Sequence, residues 1–404
     1  MDALRIQGGA RLSGTLAVDG SKNASLPAMA AAILSTDTVQ LRDVPPLSDI
    51  NNMVRLLGEI GCEVVHDDRT MTIRTVDPTA NHARYDIVRT MRASICVLGP
   101  LLAARGEARV SMPGGCAIGD RPVDLHLRGL EALGATITLD GGDIIARADK
   151  LKGATIFLGG PFGSTVLGTA NVMSAAVLAE GTTIIESAAC EPEITGLANM
   201  LNAMGADVSG AGTPRIEIHG VESLGNVDYQ VIPDRIVAGT IAMAVAITNG
   251  DATLTNFPYD NLLAVLDRLT AAGVHIQRRD DTEPANRCTV KVSSDRNLKP
   301  VLFTTQPYPG YPTDLQAQMM TVLCLADGNS IVTERIYPDR FLHVSELTRM
   351  GAKLFRSGPT VVVQGGGELI GAPVMAGDLR GSAALIMAGL AAKGETIVQR
   401  VYHV

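Results

Sequence analysis

The sequence has no tryptophan, and aromatic residues make up only 3% of its 404 positions. Its cores must therefore be built from Leu, Ile, Val, Met and Ala. No apolar run approaches the ~20 residues needed to cross a bilayer, so no membrane span is expected. No run of Lys or Arg is long enough for a nucleic-acid footprint, and the formal charge is −8. The opening Met1-Asp2-Ala3-Leu4-Arg5-Ile6 lacks the basic and apolar regions of a signal peptide. The six cysteines, Cys62, Cys96, Cys116, Cys190, Cys288 and Cys324, form no CxxC pair and no disulfide-like cluster. Reduced thiols in a cytoplasmic enzyme are the expectation. Cys62, Cys96, Cys288 and Cys324 fall in apolar or helical patterns and suit core filling, whereas Cys190 follows a strand and stays open. The seven histidines show no metal spacing, and His126 and His343 suit structural roles. No GxGxxG follows a strand and no Walker motif occurs, which disfavours a nucleotide cofactor fold and a P-loop.

What is abundant is glycine, 42 residues, and apolar residues at 46%. A chain of this length suits two domains. Its strongest feature is internal repetition. One half-unit is a small-residue helix, a Gly turn and a β-branched strand. It occurs in six copies, beginning near Ser25, Ala93, Ala170, Arg235, Leu315 and Ser382. The other half-unit is an amphipathic helix, a Gly turn and a strand, in five copies that include NNMVRLLGEIGCEVVHD and SELTRMGAKLFRSG. Leu and Met recur there at helical spacing, and Gly takes the place after the helix where positive φ is needed. The two kinds alternate along the chain at roughly 70 residues per full unit. The expected fold is α/β, two domains of three βαβαββ-type units each. The sixth first-half unit reaches Val404 without its partner. The expectation is that a longer natural chain would continue with an amphipathic helix, a Gly turn and a strand.

Several segments could carry chemistry. Cys116 sits among Gly114, Gly115 and Gly119, with Arg121 five positions on. A thiol on a flexible, partly basic loop is a candidate acid or nucleophile, or an incidental surface cysteine. Lys22 stands where the first small-residue helix opens, and Ser21 or Asn23 can cap that helix. This is a plausible anion site or simply a capped helix with a solvated lysine. Arg92, Arg235 and Arg380 stand at related helix starts. As a set they describe a phosphate-rich cleft, although singly each is as well explained by a structural ion pair. Asp314 precedes the fifth copy and is either an N-cap or, facing a cleft, a general base toward a hydroxyl.

These segments, in this order, resemble the enolpyruvyl transferase superfamily over essentially the whole chain. The loop PGGCAIGDRPVDLH, from Pro113 to His126, resembles its UDP-N-acetylglucosamine branch. GSKNAS, TMRAS, IPDRI, YPGYPTDLQ, RFLHVSELTRMGA and APVMAGDLR support the same likeness. The resemblance implies an inside-out α/β barrel fold and transfer of the enolpyruvyl group of phosphoenolpyruvate to the 3-hydroxyl of UDP-N-acetylglucosamine, releasing phosphate, at the entry to peptidoglycan synthesis. It implies no metal and no organic cofactor. It implies one domain over residues 21–232 and a second over 1–20 plus 233–404. Lys22 would contact phosphoenolpyruvate and Asn23 the sugar. Arg92, Arg121 and Arg380 would neutralise phosphate and carboxylate charge. Cys116 would protonate the methylene carbon or take a covalent adduct, and would be the thiol attacked by the epoxide fosfomycin. Arg121, Pro122, Val123, Asp124 and Leu125 would line the uridine end. Gly163, Ser164, Thr165 and Val166 would form the diphosphate turn. Asp314 would accept the sugar hydroxyl proton, and Ile336 would pack near the uracil. The family often has a basic or polar residue in the diphosphate turn and an aromatic where this chain has Cys96. A paralogue using another nucleotide acceptor, or an inactive binding-only homologue, are the alternatives.

Overall fold

The computed structural model describes residues 3–113 and 123–401. Two compact units divide the chain. One runs from Asp19 to Ile232, and the other joins the chain up to Val18 with the chain from Pro233 onward. Each has a separate apolar core.

In the Asp19–Ile232 unit three helical segments pack against one another. They are Lys22–Ala31, the 3-10 helix Arg92–Val97 that continues as the α-helix Leu98–Arg105, and Val166–Ala176. Small residues on every side let the backbones approach and leave these segments mostly buried. Among the described residues three four-stranded sheets accompany them. In the first, Val39–Arg42 pairs antiparallel with Thr70–Thr75, which pairs antiparallel with Cys62–Asp67. Its remaining strand, Val227–Gln230, runs parallel to Val39–Arg42 and comes from the far end of the unit. Glu107–Ser111 and Thr182–Glu186 are centred in the same way in the other two sheets, each beside one parallel and one antiparallel neighbour.

The second unit follows the same plan with helices Arg235–Ile247, Gln316–Leu323 and Leu379–Ala391, which also pack mutually. The N-terminal strands are used twice: Ser13–Ala17 runs parallel to Asp251–Phe257, and Ala3–Gln7 runs antiparallel to Glu395–Gln399. The last sheet has three strands among the described residues.

The amphipathic helices Ser48–Glu59, Asp124–Ala132, Pro192–Ala203, Leu263–Ala271 and Leu342–Arg349 each bury one face. Shortly after each comes a glycine with φ between 79° and 105°: Gly61, Gly134, Gly205, Gly273 and Gly351. That left-handed conformation turns the chain from helix to strand and disfavours any residue with a Cβ.

Candidate active site

In the Asp19–Ile232 unit, Ser21 rather than Asn23 caps the first helix, its Oγ accepting the Ala24 N–H at 3.2 Å. Asn23 is the second residue of that helix. Lys22 Nζ pairs with Asp49 Oδ2 at 2.8 Å. Arg92 opens a 3-10 helix instead of the α-helix that the sequence suggests. The cause is Asn171, 1% exposed, whose amide enters the backbone ladder. The Leu98 N–H bonds the Ile95 carbonyl, closing a 3-10 turn. The Gly99 N–H bonds Asn171 Oδ1 at 2.6 Å, and Asn171 Nδ2 donates to the Ile95 carbonyl at 2.8 Å. A Cβ on Gly99 would overlap Asn171. Asn171 Nδ2 also donates to His126 Nδ1 at 3.0 Å, so that ring nitrogen is the acceptor. Burial, then the nearby charge of Arg92, pushes His126 down to about 3, and it stays neutral.

Val123 precedes the helix Asp124–Ala132, and Leu125 lies in its first turn. A Cβ on Gly160 would lie 3.2 Å from Leu125 Cδ1. Gly160 pairs with Gly163 in the two-stranded hairpin Gly159–Gly160 with Gly163–Ser164. Thr165 then caps the helix that Val166 begins, accepting the Gly168 N–H at 3.2 Å. Arg92, Leu125 and the Gly163 hairpin are thus gathered through His126 and the helix Asp124–Ala132. Cys116, Arg121 and Pro122 lie outside the described residues.

In the other unit the predicted Asp314 and Arg380 meet directly. Arg380 Nη2 lies 2.8 Å from Asp314 Oδ2, and Arg340 Nη1 lies 2.7 Å from Asp314 Oδ1. Burial raises the Asp314 pKa, but the Arg380 and Arg340 guanidiniums outweigh it and hold the carboxyl well below the usual carboxylate range. Asp314 does not cap its helix. It belongs to the 3-10 turn Thr313–Leu315, with its carboxylate spent on the two arginines. Asp378 caps the helix Leu379–Ala391 through the N–H groups of Arg380 and Gly381, and stands 3.8 Å from Arg340 Nη2. Ile336 follows the strand Asn329–Thr333, and its N–H bonds Glu334 Oε1 at 2.7 Å. Arg235 stacks on the Tyr308 ring, 5.6 Å from its centroid.

The sequence reading missed Arg340 and Glu334. Arg340 lies just before an amphipathic helix whose pattern announces only packing, and the Arg-Phe-Leu-His run around it was the available signal. Among the described residues no His/Cys/Asp/Glu group could hold a metal ion.

A chain of small-residue helices and four-stranded sheets, with arginines and an aspartate at helix starts, is a fold with solved counterparts. Residues 6–404 match the family model described as EPSP synthase (3-phosphoshikimate 1-carboxyvinyltransferase), and the chain belongs to this family of enolpyruvyl transferases. Within it, the chain is 50% identical over 403 residues to the UDP-N-acetylglucosamine 1-carboxyvinyltransferase of Nitratidesulfovibrio vulgaris, covering all of this chain and 94% of that one. It is 51% identical to the enzyme of the same name from Solidesulfovibrio magneticus, with the same coverage. Among solved structures, the enolpyruvyl transferase NikO from Streptomyces tendae superposes with a TM-score of 0.88 at 25% identity, over 100% of this chain and 94% of that one. EPSP synthase from Acinetobacter baumannii gives 0.75 at 18% identity, over 98% and 94%, a likeness of fold.

Proposed function

We propose that this chain transfers the enolpyruvyl group of phosphoenolpyruvate to the 3-hydroxyl of UDP-N-acetylglucosamine, releasing phosphate, in the cytoplasm, as the entry to peptidoglycan synthesis. The observation that carries this is identity of about half over the whole chain to relatives bearing that activity as their name. Among the described residues no helix is long and apolar enough to cross a membrane. The mutually packed small-residue helices of each unit, with their sheets, support an inside-out α/β barrel of three repeats per unit, with units near residues 21–232 and 1–20 plus 233–404.

The chemistry is addition followed by elimination. The acceptor oxygen bonds to C2 of phosphoenolpyruvate while C3 gains a proton. Loss of a C3 proton and of the phosphate from C2 then restores the double bond. Addition needs an acid at carbon and a base at oxygen. Cys116 is assigned the acid or the covalent adduct, and Asp314 the base. The two arginines keep Asp314 ionised, so it stands ready to accept a proton but is a weak base. An arriving phosphate competes for Arg380, and withdrawal of that cation raises the basicity of Asp314. Lys22, Arg92, Arg121 and Arg380 are assigned to phosphate and carboxylate charge, which several converging cations must neutralise. Asn23 is assigned to the sugar, Val123 to Leu125 with Arg121 and Pro122 to uridine, Gly163 to Val166 to diphosphate, and Ile336 to uracil. The hairpin at Gly163 carries the Ser164 and Thr165 hydroxyls and no Lys or Arg of its own, while Arg128 stands beside it with Nη2 3.4 Å from the Gly159 carbonyl.

A phosphate-release assay with phosphoenolpyruvate and UDP-N-acetylglucosamine tests the reading. Release that requires this acceptor supports it. Release with a different nucleotide acceptor instead would replace it with the paralogue, and tight binding without release with the inactive homologue.

A further inference from the structure

We propose that Glu334 is a positioning residue that fixes the turn carrying Ile336 against the turn carrying Asp314, an inference that rests on the transfer reading above. Glu334 is a carboxylate with no exposure to solvent. Burying such a group costs several kcal/mol unless its oxygens are fully bonded. Its Oε1 accepts from Thr305 Oγ1 at 2.7 Å, the Ile336 N–H at 2.7 Å and the Tyr337 N–H at 2.9 Å. Its Oε2 accepts from Thr313 Oγ1 at 2.9 Å. Thr313 Oγ1 in turn accepts from Arg340 Nη1 at 3.0 Å, and the same Nη1 donates to Asp314. One oxygen therefore holds the Ile336–Tyr337 backbone, and the other holds the residue next to Asp314.

Two nearby segments, the strand end at Thr305 and the turn at Thr313, are tied by this one carboxylate to a third more than twenty positions on, the turn following the strand Asn329–Thr333. An apolar side chain would fill the space but leave two backbone N–H groups and two hydroxyls without acceptors. The choice of a carboxylate matters for the reaction because the uracil and the reacting hydroxyl are opposite ends of one substrate. Ile336 is assigned to the first and Asp314 to the second. The separation of these two residues sets whether the hydroxyl reaches its base once the nucleotide is seated, and displacement of about 1 Å costs about 100-fold in rate. An amide at this position cannot reproduce the arrangement. With its carbonyl on the Ile336 and Tyr337 N–H groups it is a weaker acceptor than the carboxylate, and its NH2 turns the Thr313 hydroxyl from donor to acceptor, in competition with Arg340 Nη1.

The test uses Glu334→Gln and Thr313→Val in the full chain. Glu334→Gln is expected to lower kcat at least tenfold and raise the KM for UDP-N-acetylglucosamine several-fold. Thr313→Val cuts only the Asp314 side, so kcat falls while the acceptor KM stays within twofold. Amide hydrogen exchange supplies a readout independent of the acceptor. Glu334→Gln should speed exchange in peptides covering both Thr313–Leu315 and Ile336–Tyr337, and Thr313→Val only in the first. The inference is overturned if Glu334→Gln melts lower but keeps its kcat and acceptor KM, or if exchange in the two peptides responds identically to both substitutions. If the wild-type chain ignores UDP-N-acetylglucosamine while the exchange pattern holds, the transfer reading fails and the linkage of the two turns stands.

Discussion

Arg380 and Asp314, 66 positions apart in sequence, hold each other by a 2.8 Å ion pair at the starts of two buried helices. Arg340 grips the other carboxylate oxygen at 2.7 Å. A group held by two cations and assigned to proton transfer should be sensitive to loss of charge alone. Asp314→Asn keeps the shape and removes the base. The kcat of that variant should fall by about 10²–10⁴, the usual contribution of a general base. Arg380→Ala should instead raise the KM for phosphoenolpyruvate more than that for the acceptor. Steady-state kinetics with each substrate varied in turn checks both outcomes.

The pH dependence of stability follows from two neutral histidines. Burial, followed by Arg92, pushes His126 down to about 3, and burial, followed by Arg340, does the same to His343. Unfolded histidines titrate near 6.5, so below that pH the unfolded state binds protons the folded state refuses. Their contribution is complete above about pH 6.5 and is lost as pH falls toward 3, with a slope of up to about 1.4 kcal/mol per pH unit for each. Asp314 has the usual carboxylate sign: its depressed pKa contributes fully above about pH 4 and is lost only as pH drops further. Melting temperature should therefore begin to decline near pH 6.5, earlier than carboxylates alone would require. His126→Gln, whose side-chain oxygen can still accept from Asn171, should flatten that decline. An unchanged slope in this variant would count against the neutral, buried histidine.

Thiol reactivity offers a contrast among the cysteines. Cys62, Cys96, Cys288 and Cys324 are buried, and burial pushes Cys96 and Cys324 up to about 12. Cys190 is half-buried, and burial followed by the charge of Glu191 raises its pKa too. Thiols raised in this way are poor nucleophiles at neutral pH. Fosfomycin is expected to give a single adduct by intact mass, mapped to Cys116 and absent in Cys116→Ser. An adduct on Cys190 would remove Cys116 from its assigned role.

UDP-N-acetylglucosamine should raise the melting temperature, because it binds only the folded chain. At 100 times its dissociation constant the stabilisation is about 2.7 kcal/mol, a shift of a few degrees. Differential scanning fluorimetry across a concentration series, with UDP and N-acetylglucosamine as separate controls, measures it. No shift at saturating nucleotide sugar would contradict the assigned acceptor.

Much of the architecture is local and so was legible in the chain. The glycines Gly61, Gly134, Gly205, Gly273 and Gly351 announce the ends of the outer helices because the backbone there needs a positive φ. Asp314 and Arg380 stood out because each precedes a small-residue helix, and the structure joins them. What the sequence hid depends on contacts across it. The 3-10 start at Arg92 is imposed by Asn171, 72 positions from the Gly99 it bonds. Nothing in Arg-Ala-Ser-Ile-Cys-Val signals that insertion. Arg340 and Glu334 were hidden for the same reason. A charged residue beside a strand or helix end looks solvated until its partners, here Thr305, Thr313 and Asp314, are brought in from elsewhere.

The Asn171 amide supports the sharpest stability prediction. Its carbonyl accepts the Gly99 N–H, and its amino group donates to the Ile95 carbonyl and to His126. Asn171→Ala would strand two buried polar groups, the Gly99 N–H and His126 Nδ1, and leave the Ile95 carbonyl with the Leu98 N–H alone, in a site almost closed to water. Each unmet group costs about 1–3 kcal/mol, so the variant should lose several kcal/mol in urea unfolding. Asn171→Asp keeps the acceptor for Gly99 but has no donor for the Ile95 carbonyl or His126, and would bury a charge unless it binds a proton. It should therefore be stabilised by acid relative to the wild type, the reverse of the trend set by the histidines. Gly99→Ala attacks the same contact from the other side, since its Cβ would overlap Asn171. The atom nearest that Cβ is the Asn171 backbone oxygen, which Asn171→Ala leaves in place, so the double variant keeps the overlap. Because both single changes disturb the same Gly99–Asn171 hydrogen bond, that shared loss counts once and the double variant should fall short of the sum of the two. Additive losses would mean that Gly99 and Asn171 act independently and that the 3-10 start at Arg92 has another origin.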